Sequence, residues 1–458
     1  MKCVLSLLFG MFVWATVGAS AESLPKRPNI LFLFTDDQRW DTVHALGNDE
    51  IQTPNFDRLV KTGFHFTNAY CMGSMVGAVC LPSRTMLATG RSLWHIPENP
   101  RQKEAPPGVL TLPGLMNEAG YQTFHCGKSG NACTFSNETF QTNITTGKRD
   151  ANSATETADA AIAFLKQRDK DKPFFMYLAP PVPHDPRLAP PEYHGMYEAQ
   201  KLTLPKQFMR EAPFDPGVLE IRDEQLASYP RSPEDMKQHL ADYYATVTHM
   251  DAEFGRVLAL LKEQGLESNT VVIFSSDQGL ACGGYHALMG KQNFYEDVKP
   301  PLVIAGPGIP EGKSDALVYL FDLFPTILEL AGVKVPEIAE GSSLLPVVEG
   351  KAVKWRDHLF GAYTNVHRMV RDERWKLYKF NVKGQKHTLL FDLKADPEEL
   401  HDLAGDPAHA DEVKRLDVLL NQERKTLGDP VNFDSDDPQI PAYARPFQGK
   451  GKGKKKAE

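Results

Sequence analysis

Three short, almost wholly apolar runs are the feature that most constrains how this chain of 458 residues can fold. Residues 29–34 (NILFLF), 174–178 (FFMYL) and 270–274 (TVVIF) show no alternation of polar and apolar side chains and stop abruptly at polar residues or proline. Such runs are typical of strands buried on both faces of a sheet. Helical patterns lie between them, at residues 111–119, 155–166 and 233–264. Alternating strands and helices predict an α/β fold, with a mostly parallel sheet sandwiched by helices.

Polar side chains that suit a metal ion follow these runs. Asp36 and Asp37 come after the first run, Asp277 and Gln278 after the third, and His184 shortly after the second. In an open α/β sheet the ligand site lies outside the carboxyl ends of the strands, where these residues fall. Three carboxylates at one edge repel each other unless a cation neutralises them, and carboxylate and amide oxygens favour a hard ion such as Ca²⁺ over zinc. Taken alone, each aspartate motif fits a loop cap equally well.

The sequences at the two ends of the chain predict a signal peptide and a solvated tail. An apolar run at residues 4–17, followed by Ala19-Ser20-Ala21, is typical of a secretory signal peptide over residues 1–21. We expect an exported protein, periplasmic or secreted, with no membrane span in the mature chain, because no later apolar segment is long enough. Residues 446–458 mix lysine with glycine and predict a disordered, solvated tail rather than a polyanion-binding one. The net charge of −8 is spread along the chain, so we expect no nucleic-acid partner.

Two domains are predicted in the mature chain. Residues 22–350 hold the α/β pattern and form the candidate catalytic domain. Residues 351–445 change to short, partly alternating runs with charged turns (LFGAYTN, HRMVRD, RWKLYKFNV, HTLLFDL), which indicate an antiparallel sheet in a smaller C-terminal subdomain. Within the first domain, residues 180–230 are rich in proline and lack periodicity. A long excursion of this kind usually lies at the rim of a site.

The cysteines leave one thiol unexplained. Without the one in the signal peptide, five remain, which is an odd number for an oxidising compartment. Cys126 and Cys133 could close a short disulfide loop, which spacing alone does not establish. Cys80 precedes a short helical run in which Pro82 suits the first turn and Gly90 the end. A residue at that helix N-terminus meets free amide donors and the positive end of the dipole, so Cys80 is either a catalytic thiolate or an ordinary core cysteine.

The run CLPSR at residues 80–84, followed by TGR at 89–91, resembles the Cys-x-Pro-Ser-Arg motif of the sulfatases, members of the alkaline phosphatase superfamily. Four more segments resemble sulfatase motifs in the family's order: PNILFLFTDDQRWD, GYQTFHCGK, PPVPHDP, and SSDQG followed by Lys291. With a C-terminal segment (RDERWKLYKF…LLFDLKADPEEL), the likeness extends from residue 28 to about residue 403. The resemblance implies an alkaline phosphatase-like fold, with a mixed, mostly parallel sheet and a smaller antiparallel C-terminal sheet.

The chemistry implied by this resemblance is the hydrolysis of sulfate esters, expected to be those of carbohydrates. In the family a dedicated maturation enzyme oxidises the motif's cysteine to Cα-formylglycine, whose hydrate has two hydroxyls: one attacks sulfur and the other later expels sulfate. A bound Ca²⁺ polarises the nucleophile and the sulfate. The residues that match metal ligands are Asp36, Asp37, Cys80, Asp277 and Gln278. The residues that match catalytic groups are Cys80, Arg84, Lys128, His184 and Lys291.

The roles of these groups follow from the same matches. Arg84 matches the residue that holds the diol, whereas Lys128, His184 and Lys291 match groups that bind sulfate oxygens and protonate the leaving alcohol. Substrate choice is expected in the rim segments, and the second domain contributes if it reaches the site. The candidate substrate-binding residues are His286, His367 and Arg368.

One departure from the family concerns the release of sulfate. The usual Gly-Lys-Trp-His is GKSG here, so Gly130 stands where a histidine commonly helps the diol to release sulfate. Asn131, His125 and His286 are the candidates to replace it. Gln278 stands where many members have Asn or His, and it keeps an amide oxygen for the ion. Two other functions remain open: a phosphodiester or phosphonate monoester hydrolase on the same scaffold, and a non-catalytic protein that binds sulfated glycans.

Overall fold

A computed structural model describes residues 24–146, 149–351 and 355–441. The predicted signal peptide at residues 1–21 and the predicted tail at residues 446–458 both lie outside these ranges. Among the helices that the structure describes, none is both long and apolar enough to cross a membrane.

The described residues form two sheets and the helices that cover them. The strands are β1 (Asn29–Thr35), β2 (Gly63–Tyr70), β3 (Gly73–Ser74), β4 (Gln122–Gly127), β5 (Thr142–Thr145), β6 (Phe174–Ala179), β7 (Thr270–Ser276), β8 (Leu302–Ala305), β9 (Gly312–Tyr319), β10 (His358–Tyr363), β11 (His367–Asp372), β12 (Trp375–Val382) and β13 (Gln385–Asp392). The α-helices are α1 (Pro54–Thr62), α2 (Cys80–Thr89), α3 (Leu112–Glu118), α4 (Thr134–Asn137), α5 (Ser153–Gln167), α6 (Pro191–His194), α7 (Pro233–Glu263), α8 (Leu323–Leu330), α9 (Leu345–Val348) and α10 (Ala410–Thr426).

The main sheet has eight strands in the order β5-β4-β6-β1-β7-β8-β2-β9. All pairings from β5 to β7 are parallel, β8 is antiparallel to both of its neighbours, and β2 is parallel to β9. The central strand β1 is wholly buried, and its Leu31 lies opposite Met176 of β6 and Val272 of β7. The prediction of a mixed, mostly parallel α/β sheet is therefore confirmed.

Two helical layers explain why the central strands β6, β1 and β7 consist of almost wholly apolar runs. Leu31 and Leu33 of β1 pack in a core with α1, α5 and α7, whereas Ile30 and Phe32 pack on the other face with α2, α3, α8 and α9. The helices predicted at residues 111–119, 155–166 and 233–264 are α3, α5 and α7, with each end within two residues of the expectation. The N-terminus of α7 is fixed by the Ser232 side chain, which accepts a hydrogen bond from the backbone N–H of Asp235.

The second sheet has five strands in the order β13-β12-β11-β10-β3. Its four C-terminal strands are antiparallel, and α10 packs on β11 and β12. The short strand β3 pairs in parallel with β10, although it lies just before α2 in the chain. Gly73 has a φ of 108°, and a Cβ there would lie 2.1 Å from the carbonyl oxygen of Ala362, so glycine permits this close pairing. The expected antiparallel C-terminal sheet is confirmed, whereas the domain boundary at residues 350–351 stays a prediction.

Candidate active site

The candidate active site lies at the carboxyl ends of four neighbouring parallel strands. Lys128 follows β4, His184 lies in the loop after β6, Asp36 and Asp37 follow β1, and Asp277 follows β7. Because β4, β6, β1 and β7 are adjacent in that order, their ends bring these side chains to one edge of the sheet. We call this group, together with Cys80, Arg84, Gln278 and Lys291, the carboxylate cluster.

Helix α2 brings Cys80 into the carboxylate cluster. The helix begins at Cys80 and ends at Gly90, whose left-handed backbone (φ 68°) lets its N–H donate to the carbonyl oxygen of Met86. Cys80 is fully buried, and its Sγ lies 3.5 Å from Asp37 Oδ1 and 3.3 Å from Gln278 Nε2. Residue 80 is therefore directed at the carboxylates from the positive end of a helix.

The donor atoms of this cluster suit a hard cation. Asp36, Asp37, Cys80 and Asp277 each offer one ligand atom, and these four atoms all lie within 4.8 Å of one another. Asp36 Oδ2 and Gln278 Oε1 are buried and have no hydrogen-bond partner among the described residues. Buried carboxylate and amide oxygens without partners are unfavourable unless a cation binds them. The residues present therefore fit a Ca²⁺ ion.

Backbone strain is found at Asp37 of the carboxylate cluster. Asp37 has a φ of 69°, a left-handed conformation that non-glycine residues adopt rarely. The Tyr243 hydroxyl holds this turn, since it donates to the carbonyl oxygen of Asp37 and accepts from the N–H of Arg39. The carboxylate of Asp277 accepts the N–H of Asp37 as well. These contacts keep a strained conformation in place, as is common at functional sites.

Three buried cations balance the three buried carboxylates. Lys128 Nζ lies 2.5 Å from Asp36 Oδ1, and Lys291 Nζ lies 2.6 Å from Asp37 Oδ2. The third pair joins Arg84 Nε to Asp277 Oδ2 at 2.9 Å. Arg84 also donates to the Tyr177 hydroxyl and to the carbonyl oxygen of Thr35. Buried charges of this kind persist only when they are paired, so the cluster is electrostatically interdependent.

The pKa values in the cluster reflect burial and these pairs. Burial opposes ionisation of Asp36, but Lys128 and the neighbouring cations outweigh it and hold the pKa of Asp36 well below its usual range. Burial raises the pKa of Asp277. Burial would lower the pKa of Lys291, but the Asp37 carboxylate raises it well above the ordinary value. Lys291 is therefore a permanent cation beside residue 80.

His184 is oriented by its own loop. Its Nε2 lies 3.6 Å from Asp37 Oδ2, while its Nδ1 lies 2.8 Å from the carbonyl oxygen of Asp185 and 3.0 Å from Asp185 Oδ1. Burial opposes ionisation of Asp185, yet hydrogen bonds from His184 and Arg222 lower the pKa of that carboxyl group. The Nε2 of the imidazole therefore faces the cluster, and Nδ1 faces a carboxylate that remains ionised.

Two charged residues of the site were not found from the sequence. Arg149 NH1 lies 2.9 Å from His184 Nδ1, and its NH2 lies 3.6 Å from Asp36 Oδ2. Asp223 belongs to the proline-rich segment predicted at the rim, and its Oδ2 lies 3.4 Å from Lys291 Nζ. Arg149 follows strand β5, so the strand-end argument would have found it if β5 had been recognised. Asp223 carries no such signal.

The structure does not bring the three candidate substrate-binding residues to the cluster. The ring of His286 stacks on Tyr295 at 3.8 Å, and burial, helped by Lys376, lowers the pKa of His286 to about 3. His367 and Arg368 are adjacent on β11, so their side chains point to opposite faces of the second sheet, and both faces are covered. His367 bonds to the carbonyl oxygen of Pro216 and the hydroxyl of Tyr378, and Arg368 pairs with Asp429.

The candidates to replace the missing histidine are also committed elsewhere. His125 Nδ1 bonds to Asn143 Oδ1, and burial lowers the pKa of His125 to about 4. Asn131 accepts a hydrogen bond from Arg101. Gly130 is exposed, and a Cβ at that position would meet no atom within 4 Å. Position 130 is therefore open space beside Lys128.

The thiols of the described residues are all free. Cys71, Cys80, Cys126, Cys133 and Cys282 form no disulfide, so the bridge considered between Cys126 and Cys133 is absent from the structure.

Comparison with known proteins places this fold and cluster in one family. The family model described as Sulfatase matches residues 28–333, and the model described as N-sulphoglucosamine sulphohydrolase, C-terminal, matches residues 284–426. An N-acetylglucosamine-6-O-sulfatase of Bacteroides thetaiotaomicron is 27% identical to this chain, and the alignment covers 88% of this chain and 87% of the relative.

Solved structures show the same architecture. A protein solved in complex with its substrate D-glucosamine-2-N,6-O-disulfate superposes with a TM-score of 0.75 at 26% identity and covers 90% of this chain and 100% of its own. The phosphonate monoester hydrolase of Agrobacterium radiobacter shares the fold with a TM-score of 0.73 at 22% identity, covering 90% of this chain and 99% of its own. The family model spans well over half of the chain, from β1 to beyond β9, the last strand of the main sheet along the chain. The chain therefore belongs to the sulfatase family, whose members are sulfuric ester hydrolases of the alkaline phosphatase superfamily.

Proposed function

We propose that this protein hydrolyses sulfate esters of carbohydrates at the carboxylate cluster, after conversion of Cys80 to Cα-formylglycine and with a bound Ca²⁺. One observation carries the proposal: residue 80 lies at a helix N-terminus among three buried carboxylates, and oxygens of Asp36 and Gln278 there have no partner among the described residues. The three buried cations that pair with these carboxylates supply positive charge, which stabilises an anionic substrate.

The cation would be held by oxygen atoms of Asp36, Asp37, Asp277 and Gln278, together with residue 80. When bound, a hard divalent cation supplies Lewis-acid polarisation of oxygen atoms on the nucleophile and on sulfate. An unmodified Cys80 is a poor nucleophile, because burial and the Asp277 carboxylate raise the pKa of its thiol well above the usual value. A hydrated aldehyde at residue 80 supplies a hydroxyl group in place of the thiol.

The remaining side chains bind the anion and move a proton. Lys128 follows β4 and Lys291 follows β7, the outer two of the four strands whose ends carry the cluster, and we assign both lysines to the sulfate oxygens. Arg84 holds Asp277 in position and balances its charge. His184 presents Nε2 to the cluster and donates its proton to the leaving oxygen. Each group is nearly fully buried, which excludes water from these charges.

The substrate class follows from the family and its members. A relative that covers most of this chain is described as an N-acetylglucosamine-6-O-sulfatase, and a similar solved structure holds a disulfated glucosamine. We therefore infer a sulfated amino sugar as the first substrate to test.

Mass analysis of the peptide that contains residues 80–84 tests the proposal most directly. The protein is produced in a host that has the maturation enzyme, and we expect the mass decrease of a thiol-to-aldehyde conversion at Cys80. Turnover of N-acetylglucosamine 6-sulfate and of an aryl sulfate in Ca²⁺ should accompany it. The Cys80→Ala variant should lose this activity, whereas Cys126→Ala, which removes a buried thiol outside the cluster, should keep it. An unmodified thiol with no turnover in Ca²⁺ would favour a non-catalytic glycan-binding protein.

A second candidate function is the hydrolysis of phosphonate or phosphate esters. The fold shared with a phosphonate monoester hydrolase motivates it. Matched aryl sulfate, aryl phosphate and aryl phosphonate esters distinguish the two, and a large preference for the phosphorus esters would reject the sulfatase assignment for this chain.

A further inference from the structure

Arg149 is a cation at the mouth of the carboxylate cluster that none of the family motifs contains. It follows β5, the edge strand next to β4, and reaches over the cluster from that side. Its NH1 lies 2.9 Å from His184 Nδ1 and 3.1 Å from the carbonyl oxygen of Asp185. Its NH2 lies 3.6 Å from Asp36 Oδ2, which exceeds hydrogen-bond distance.

Neutralising Asp36 does not require this guanidinium. Lys128 already bonds to Asp36 Oδ1 at 2.5 Å, and Arg84 NH2 lies 3.6 Å from the same oxygen. The side chains of these three cations differ in exposure. Lys128 and Arg84 are 3% and 4% exposed, whereas Arg149 is 26% exposed. Arg149 is therefore the most solvent-exposed of these three cations.

Arg149 and the position of the missing histidine both follow strands on the β4–β5 side of the sheet. In the motif Gly-Lys-Trp-His the histidine would stand at position 130, after β4. This chain has an exposed glycine there, and a Cβ at that position would meet no atom within 4 Å. Arg149 follows β5, which pairs in parallel with β4, so the two strand ends lie on the same flank of the site. This flank thus has open space at residue 130 and a guanidinium at residue 149.

We propose that Arg149 binds the sulfate group of the substrate on this flank. The inference rests on the proposed function and adds a substrate-binding residue to it. A planar guanidinium donates two parallel N–H bonds to a tetrahedral anion, which suits sulfate oxygens that Lys128 and Lys291 leave uncovered. The contact to His184 places the guanidinium next to the group that protonates the leaving oxygen. Arg149 thus holds the sulfate in line with that proton donor.

The test compares anion affinity in Arg149→Gln, Arg149→Lys and the wild-type protein. Inorganic sulfate is titrated into the calcium-loaded mature protein by calorimetry, and KM is measured with 4-nitrophenyl sulfate. Loss of a charge-assisted hydrogen bond should weaken sulfate binding and raise KM by about 10-fold or more in Arg149→Gln. Arg149→Lys keeps the charge without the paired donors, so its sulfate affinity and its KM should lie between those of wild type and Arg149→Gln. Arg101→Gln, which removes an exposed guanidinium bonded to Asn131, is the matched control and should behave as wild type.

Unchanged sulfate affinity in Arg149→Gln would overturn the proposal, and if kcat fell while affinity stayed the same, Arg149 would only orient His184. Thermal unfolding of Arg149→Gln and Arg149→Lys shows whether each variant folds. If Arg149→Gln does not fold, the comparison of Arg149→Lys with wild type still tests the proposal. A wild-type protein that hydrolyses no sulfate ester would contradict the proposed function, whereas the binding comparison would still decide whether Arg149 holds the anion.

Discussion

Replacing Asp277 by asparagine should separate the structural role of the carboxylate cluster from its role in cation binding. Asp277 Oδ1 accepts the backbone N–H groups of Asp37 and Gln278, and Oδ2 accepts Nε of the buried Arg84. Asparagine keeps the shape and one acceptor but turns an N–H₂ group toward the guanidinium. Arg84 is then left with the weaker contact to Asp36 at 3.6 Å. The variant therefore loses a buried charge partner and a proposed metal ligand in one step.

The two losses have different magnitudes and different calcium dependence. Removing one partner of a buried ion pair costs about 3–5 kcal/mol, and the contacts of Arg84 to Tyr177 and Thr35 favour the lower end. Calcium at a hundredfold excess over its Kd adds about 2.7 kcal/mol to the wild-type protein. With an unfolding entropy of about 2.1 cal/mol/K per residue, 1 kcal/mol shifts the Tm of a chain of this length by about 1 °C. We expect Asp277→Asn to lower Tm by about 3 °C in chelator and to remove a further shift of about 3 °C that calcium gives to wild type.

Asp322→Asn is the matched control for this experiment. Asp322 is fully buried, accepts two backbone N–H groups, and pairs with Arg356 at 2.8 Å outside the carboxylate cluster. This variant should lose a similar amount of stability in chelator and keep the full response to calcium. Thermal unfolding of the three proteins in chelator and in Ca²⁺ provides the measurement. A wild-type calcium shift in Asp277→Asn, or its loss in Asp322→Asn, would refute the assignment of the cation site.

Three further predictions use other parts of the chain. Burial raises the pKa of Asp251 to about 6, so the native state holds its proton more tightly than the unfolded chain. This group should add stability below about pH 4 that is lost as the pH rises to about 6, by about 1.4 kcal/mol per pH unit. Urea unfolding should therefore show that the free energy of unfolding of wild type falls relative to that of Asp251→Asn by this amount per unit over that range. Gly130→His should change stability by less than about 0.5 kcal/mol, because its Cβ meets no atom within 4 Å, and should raise kcat if sulfate release limits turnover. The unfolded mature protein should react with a thiol reagent at four cysteines, because the five free thiols less a converted Cys80 leave four, and a count of five would show that Cys80 is unconverted.

Strand-end reasoning placed the three carboxylates of the candidate site because the physics there is local. An apolar strand buried on both faces gives an unbroken run, and parallel strands end at one edge, so Asp36, Asp37 and Asp277 could be placed without knowing the rest of the chain. Lys128 and Lys291 needed the resemblance to sulfatase motifs, because a single lysine has no spacing of its own. Arg149 was missed because the strand before it, β5, has the sequence TNIT, whose polar residues give no apolar run.

The second sheet shows where the sequence pattern falls short. Short, partly alternating runs predict its antiparallel strands but do not show which side chains face the site, and His367 and Arg368 were predicted to bind substrate only if the second domain reaches it. Strand β11 is internal to its sheet, however, and both of its faces are covered. Pro216 of the proline-rich segment covers His367, and Asp429 and Phe433 cover Arg368. These covering residues lie about 60 to 150 positions away in sequence, and no local pattern reveals them.

The pairing of β3 with β10 sets an order of events during synthesis. Strand β3 ends six residues before Cys80, whereas its partner strand begins at residue 358. The ribosome needs tens of seconds to make the roughly 280 residues between them at about 5–20 residues per second. During that interval β3 lacks the strand with which it pairs in the folded protein. If Cys80 is converted as proposed, this interval gives the maturation enzyme access to the thiol. Once residues 358–363 arrive, β3 can pair with β10, and residue 80 is fully buried in the folded protein. The proposed conversion therefore belongs to the period before the second sheet forms.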